Sequence, residues 1–192
     1  MDFVGFTKIA RLSREIVVTE KIDGTNAQIL IAELDGFPVG GCVYQKDGIA
    51  VYAGSRSRWI TPECDNHGFA RWVVEHADEL ICGLGVGQHF GEWWGSGIQR
   101  GYGLPKGEKR FSLFNVGRWT EETKPKCCHV VPILFRGTFE TDHIHESLDN
   151  LCLSGSIAAP GFMNPEGVVV YHTAGNVMFK KTIKNDEKGK GE

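Results

Sequence analysis

Residues 17–30 read Val17-Val18-Thr19-Glu20-Lys21-Ile22-Asp23-Gly24-Thr25-Asn26-Ala27-Gln28-Ile29-Leu30, which sets a lysine, an aspartate, a glycine and an asparagine between two apolar runs. The flanking stretches Glu15 to Lys21 and Ala27 to Glu33 are rich in β-branched residues and read as strands. Asp23-Gly24-Thr25-Asn26 has the composition of a tight reversal, so the pair is expected to form a hairpin with Lys21 at the end of its first strand.

Outward from this stretch the same rhythm continues. Gly41 to Gln45, Ile49 to Gly54, Gln88 to Trp93, Phe111 to Val116, Val130 to Phe135, Gly167 to His172 and Asn176 to Thr182 read as further strands, separated by Gly, Pro, Asn and Asp. Two segments depart from it. Phe69, Trp72, Val73, His76, Leu80 and Ile81 recur at helical spacing after Asp65 or Asn66 as a cap, and Ile144, Leu148 and Leu151 do so after Thr141-Asp142. Many strands and few helices predict an α+β class with mostly antiparallel sheet.

With 192 residues, 41% of them hydrophobic, the chain can bury one substantial core, since domains cluster near about 100–150 residues. No low-complexity block or internal repeat interrupts residues 1–184, read as one domain, whereas residues 185–192 are charged and expected to fray. A formal charge of −3 argues against coating nucleic acid through bulk charge and leaves room for a local basic cleft. Cys42, Cys64, Cys82, Cys127, Cys128 and Cys152 include no Cys-x-x-Cys pair, and the first fifteen residues have no apolar core of secretory length. A reduced, cytoplasmic chain follows as the expectation. No apolar run approaches the roughly 20 residues of a membrane-spanning helix.

A lysine amine is a nucleophile only when unprotonated, so attack at neutral pH requires desolvation or cationic neighbours. Lys180 and Lys181, on the last apparent strand, supply such charges and suit a phosphate. A metal ion bridging phosphate oxygens would need carboxylates, and Glu92 in HFGEWWG and Glu166 in NPEGVVVY stand beside glycines at apparent strand edges. Taken singly, each of these side chains is equally well a solvated surface charge.

In sequence order these residues resemble the covalent nucleotidyltransferases, the ATP-dependent ligases and mRNA capping enzymes. Glu20-Lys21-Ile22-Asp23-Gly24-Thr25-Asn26 resembles motif I, Gly54-Ser55-Arg56 the arginine-bearing motif after it, and Phe90-Gly91-Glu92 motif III. Phe111-Ser112-Leu113-Phe114-Asn115-Val116 is similar to motif IIIa, Glu166-Gly167-Val168-Val169-Val170 to motif IV, and Phe179-Lys180-Lys181 to motif V. The opening motif looks most like that of nick-sealing RNA ligases of the phage and kinetoplastid-editing kind, and the likeness covers residues 15 to 184.

That resemblance implies an ATP-grasp-like ligase fold with antiparallel sheets flanking a nucleotide pocket. It implies ATP and Mg²⁺ or Mn²⁺ as cofactors, and RNA ends or nicks as substrate, with DNA and hybrids left open. By motif, Lys21 is implied as the nucleophile, Glu166 with Lys180 or Lys181 as catalytic, and Glu166 and Glu92 as metal ligands. Arg56 and Glu92 are implied to contact the ribose or phosphates, Phe114 to stack on adenine, and Glu20, Ile22 and Asn26 to line the nucleotide or orient the ends. Motif V usually places two lysines at alternate positions; Lys180 and Lys181 are adjacent and face opposite sides of a regular strand, with Lys180 favoured for the pocket. Asn115 stands where motif IIIa commonly has an acid. The family's C-terminal OB-fold or helical domain is not expected in the few residues after motif V, which leaves a minimal ligase, a need for a partner protein supplying nucleic-acid contacts, or a fragment as the expectations.

A GTP-dependent capping-type guanylyltransferase and a non-catalytic nucleotide or nucleic-acid-end binding module are the alternatives. Gly95 to Arg110 lacks the Gly-Lys-Ser/Thr end of a phosphate-cradling loop and reads either as a plain mobile loop or as one whose Arg100, Lys106, Lys109 and Arg110, with Tyr102 among them, track a nucleic-acid backbone. Cys127-Cys128-His129 and His143-x-His145 lack the spacing of a structural zinc site.

Overall fold

The computed structural model describes residues 2–34, 40–184 and 186–187. Its strands are β1 (Glu15–Lys21), β2 (Thr25–Glu33), β3 (Tyr44–Lys46), β4 (Ile49–Ser55), β5 (Trp59–Ile60), β6 (Gly87–Gly95), β7 (Lys109–Leu113), β8 (His129–Val130), β9 (Ile133–Thr138), β10 (Gly167–His172) and β11 (Val177–Thr182). Three α-helices accompany them, α1 (Phe69–Glu75), α2 (Ala77–Leu84) and α3 (Thr141–Ser154), with a 3-10 turn at Gly101–Gly103. The class is α+β, and every strand pair is antiparallel except β7 with β8. The expected tail, 185–192, lies outside the described residues apart from Asp186 and Glu187.

The described chain forms two compact units. The first joins residues up to Lys21 with those from Pro132 onward, and the second is the continuous stretch Ile22–Val131. The first unit is a 4-stranded sheet in the order β11-β10-β1-β9. Alternation along its strands sends Ile16, Val18, Val168 and Val170 to one face, where Leu148 and Leu151 of α3 complete an apolar core. The second unit is a 7-stranded sheet in the order β3-β4-β2-β6-β7-β8, with β5 alongside β4. One face carries Ala27, Ile29, Ile31, Val51, Ala53, Trp93, Phe111 and Leu113 against Phe69, Val73, Leu80 and Leu84 of the two short helices.

The sequence predicts a hairpin around Asp23-Gly24, and the structure has none there. β1 pairs with β9 and β10, β2 pairs with β4 and β6, and the two strands belong to different sheets. The segment between them is therefore a crossover. Close packing fixes it: a Cβ on Gly24 would lie 2.5 Å from the Trp93 carbonyl oxygen and 2.8 Å from the Trp94 Cβ, so only glycine lets the chain pass β6 at this point.

Two further expectations change in detail. The single helix expected over residues 69–81 is two, because His76 leaves helical geometry (φ −110°, ψ 12°) and its ring Nδ1 lies 2.8 Å from the Trp72 carbonyl. Asp65 does serve the first turn of α1, accepting the Ala70 N–H at 2.8 Å and the Arg71 N–H at 3.2 Å. The strand expected over 130–135 is split into β8 and β9. Pro132 has no N–H for a ladder, and the two pieces join different sheets, the Val131 N–H going to the Leu113 carbonyl at 3.1 Å.

Gly167 opens β10 at φ +154°, and a Cβ there would lie 2.2 Å from the Lys181 carbonyl oxygen. Gly167→Ala is expected to destabilise the protein by about 1–3 kcal/mol, read as a lower urea midpoint, because the added methyl meets backbone and not a movable side chain. His89, buried in the second unit, is held below its ordinary pKa by desolvation, and His129 likewise by desolvation with help from Arg110 and Lys124. Both imidazoles then bind a proton less readily folded than unfolded, so the unfolded state gains protons first as the pH drops. Stability is expected to be full above the ordinary imidazole value of about 6.5 and to decline as the pH falls below it, checked by urea midpoints across that range.

Candidate active site

In the first unit, β1 and β10 are in register so that Lys21 lies opposite Gly167, and the residue before it, Glu166, meets the lysine end on. Lys21 Nζ donates to Glu166 Oε2 at 2.5 Å, with the two side chains 18% and 11% exposed. Such an ion pair is strong because little water competes for either charge. The Ile183 N–H donates to the Glu166 carbonyl at 2.9 Å, tying the end of β11 to the same spot.

Register also sorts the two motif V lysines. Paired residues of an antiparallel sheet share a face, so Thr19, Val169 and Lys180 lie on the same face as Lys21, and Glu20, Val168 and Lys181 on the face covered by α3. Lys181 forms an ion pair with Asp186 at 3.3 Å. Thr182, two residues beyond Lys180, occupies the alternate position and donates through its hydroxyl to the Lys184 carbonyl at 2.9 Å. Lys184 in turn donates to Asn164 Oδ1 at 3.2 Å, two residues before Glu166.

Glu20 is turned away from Lys21. Its carboxylate, only 1% exposed, accepts Ser156 Oγ–H at 2.5 Å on one oxygen and the Ile157 and Ala158 N–H groups at 2.9 Å on the other. The loop following α3 thus wraps an anion that the sequence reading had directed toward adenine. A buried carboxylate is tolerated here because three donors replace its water.

In the second unit, β2 and β6 place Asn26 opposite Glu92. Glu92, 7% exposed and in the body of β6 rather than at its edge, accepts the Gly24 N–H at 3.1 Å on Oε1 and Asn26 Nδ2–H at 2.9 Å on Oε2. Phe90, two residues earlier, shares that face and is 50% exposed. The Phe114 N–H donates to the Phe90 carbonyl at 3.0 Å, extending the β6–β7 ladder by one step, and the Phe114 side chain is 37% exposed. Ile22 is buried, and Arg56 is exposed in the turn after β4.

Sequence reasoning placed Asp23 in motif I and Arg100 and Tyr102 along a nucleic-acid backbone, and missed the contacts that join them. Arg100 Nε donates to Asp23 Oδ2 at 2.8 Å, and Tyr102 Oη accepts the Asp23 N–H at 2.8 Å. The reading of 95–110 as an outward loop is corrected over its first half: Ile98 and Tyr102 are buried, and Tyr102 meets Trp94 edge-on with centroids 5.2 Å apart. The visible signal is Tyr102 and Ile98, two large apolar-bodied residues in a stretch dominated by glycine and charge. Elsewhere, Cys128 belongs to the core with Cys127 packed on it, their sulfurs 3.9 Å apart.

Among the described residues no three His, Cys, Asp or Glu side chains cluster as a ready metal cage. A divalent ion accepting oxygen ligands fits a single carboxylate completed by phosphate oxygens and water, as Mg²⁺ commonly does. Among the described residues no helix is long and apolar enough to cross a membrane.

This sheet arrangement, with a lysine ending one strand and a glutamate one residue before its neighbour, is a nucleotidyltransferase fold. Solved structures of Naegleria gruberi RNA ligase share it. A mutant with ATP and Mn matches with a TM-score of 0.58 and 18% identity, over 93% of this chain and 53% of that one. A mutant with AMP and Mn gives 0.54 and 18% over 94% and 53%, and the enzyme with PPi gives 0.54 and 19% over 93% and 56%. The chain thus spans about half the length of these structures. The RNA ligase family model matches residues 14–184, and the chain belongs to that family. No curated protein matches it.

Removing either partner of the Lys21–Glu166 pair leaves a charge with little water. Lys21→Met and Glu166→Gln are each expected to cost about 1–3 kcal/mol. The double variant should cost less than the sum of the two, which urea unfolding of all four proteins in a double-mutant cycle measures.

Proposed function

We propose that residues 1–184 form the adenylylation domain of an ATP-dependent RNA ligase. The observation that carries this reading is the Lys21–Glu166 pair at the meeting of β1 and β10, with Lys180 on the face that Lys21 occupies. Family membership and the related structures with ATP and Mn, with AMP and Mn, and with PPi support it.

In the first step the Lys21 amine, its proton lost, attacks the α-phosphorus of ATP. A P–N bond forms, the bond to the β-phosphate oxygen breaks, and pyrophosphate leaves with the electron pair. Lys180 grips the α-phosphate as a point charge, the usual part of lysine in phosphoryl transfer. Lys181, ion-paired on the opposite face, is assigned no phosphate contact. AMP then passes to a 5′-phosphate end, and a 3′-hydroxyl displaces it.

Glu166 is the residue to hold Mg²⁺ or Mn²⁺, which would neutralise charge on the phosphate oxygens and favour the neutral amine. Glu92, whose oxygens receive Gly24 and Asn26, is assigned to holding the motif I loop as well as to the ribose. Phe114 stacks on adenine, with Phe90 widening that aromatic surface. Arg56 contacts the ribose or phosphates, Ile22 lines the base, and Asn26 orients the ends. Glu20 acts from behind β1, and its contact with the base is the least supported of the motif roles. RNA is the proposed substrate, at nicks or ends, in the cytoplasm, and a further domain or partner protein completes the grip on the polynucleotide.

Incubation with ATP or GTP labelled at the α-phosphate, with Mg²⁺ or Mn²⁺, tests the reading on a denaturing gel. A covalent AMP adduct on the wild type that is absent from Lys21→Ala is the expected result. A GMP adduct would move the assignment to capping chemistry, and no adduct with either nucleotide would overturn the enzyme reading for this chain.

A further inference from the structure

The crossover from β1 to β2 creates a problem that the rest of the second unit answers. In a hairpin the N–H groups next to the turn pair across the ladder; here β1 and β2 lie in different sheets, so the donors of Asp23 and Gly24 need acceptors from elsewhere. Gly24 takes Glu92 Oε1, and Asp23 takes Tyr102 Oη. The Asp23 carboxylate takes Arg100 Nε, and the Asn26 amide takes Glu92 Oε2.

Tyr102 and Arg100 reach Asp23 from a segment bent for the purpose. Gln99 and Tyr102 both adopt left-handed backbone, φ 44° and 51°, which side-chain-bearing residues hold only where their surroundings impose it. The surroundings are visible. Ile98 is fully buried, the Tyr102 ring packs edge-on against Trp94, and Trp94 Nε1 donates to Ser112 Oγ at 2.9 Å. Arg110 lies over the Trp94 ring at 5.5 Å and bonds Glu108, which closes the far end of the same segment. A tyrosine needed only as filler has no call for a hydroxyl, and here the hydroxyl is what meets the Asp23 N–H.

We propose that Arg100 and Tyr102 are positioning residues for the adenylylation step, forming a strap that fixes the Asp23–Gly24 segment immediately after the nucleophile. The proposal rests on the reading of Lys21 as that nucleophile. The strap acts through Asp23, two residues after the lysine. It fixes the backbone that follows Lys21, so that motif I is held before ATP arrives and not ordered at the cost of binding it.

Tyr102→Phe decides the matter, because it keeps the buried ring and deletes only the hydroxyl. Two quantities are measured on the full chain: amide hydrogen exchange at Asp23, and the single-turnover rate of AMP adduct formation at saturating ATP. The strap predicts exchange at Asp23 faster by about tenfold, the loss of one hydrogen bond of ordinary net strength, with protection of β4 and β6 unchanged. It also predicts an adduct rate lower by about tenfold with the half-saturating ATP concentration unchanged, the pattern of a lost orienting interaction. Arg100→Ala should behave alike, and Arg100→Lys should recover part of the rate.

Wild-type exchange at Asp23 in Tyr102→Phe would overturn the strap, as would loosening spread equally over β2, β4 and β6, which marks a merely structural tyrosine. A wild-type adduct rate in both Tyr102→Phe and Arg100→Ala would overturn the positioning role. If the wild type itself forms no adduct, the enzymatic reading falls with it, and the exchange measurement still decides whether the strap exists.

Discussion

The pairing of β1 with β10 brings two ends of the chain together, and the charge at their meeting point depends on its register. Lys21 opposes Gly167, and Glu166, one residue outside the ladder, accepts the ammonium at 2.5 Å. A slip of one residue would send Lys21 to the face occupied by α3 and bring Glu20 out in its place. Several features guard against that slip. Ile16, Val18, Val168 and Val170 are buried against α3, Glu20 is held by Ser156, Ile157 and Ala158, and the close approach at Gly167 admits no side chain. The apolar face therefore fixes where the polar chemistry on the other face can be.

Carboxylates in both units are arranged on a shared principle. Glu20, Glu92 and Glu166 are each 9% exposed or less, and each is matched by donors of this chain: a loop for Glu20, the Gly24 amide and Asn26 for Glu92, a lysine for Glu166. Three glutamates that look alike as motif residues thus differ by environment. One faces an ammonium, one orders a backbone crossover, and one anchors the loop behind the strand that ends at Lys21. Their contributions are separable because the partners are different and lie on different elements.

Much of this was legible in advance, for identifiable reasons. Strand alternation marked nearly every β-element, and motif order singled out Lys21, Glu166 and the pair Lys180-Lys181, of which the register places Lys180 on the face of Lys21. The failures share a cause, since each turns on which strand a segment pairs with, and local composition does not carry that. Asp23-Gly24 has the residues of a hairpin turn, yet β6 and β10 outcompete the local pairing. Pro132 was visible, but not that the chain changes sheets there. Glu20 and Lys21 are neighbours in sequence and opposites in space, a simple consequence of strand alternation that motif matching ignores. The 95–110 segment looked solvated because glycine and charge dominate its composition, while two buried residues, Ile98 and Tyr102, decide its path.

The division of the chain carries a consequence for its synthesis. Ile22–Val131 is continuous and can collapse as soon as it has left the ribosome, whereas the sheet holding Lys21 needs a strand that begins at Gly167. Closing that long loop is slow compared with local pairing. Until β9 and β10 have been made, β1 therefore waits as a hydrophobic strand without its neighbours, and the lysine and glutamate meet only once Glu166 exists. A truncated product ending before β10 carries the lysine in its sequence and lacks the glutamate that pairs with it.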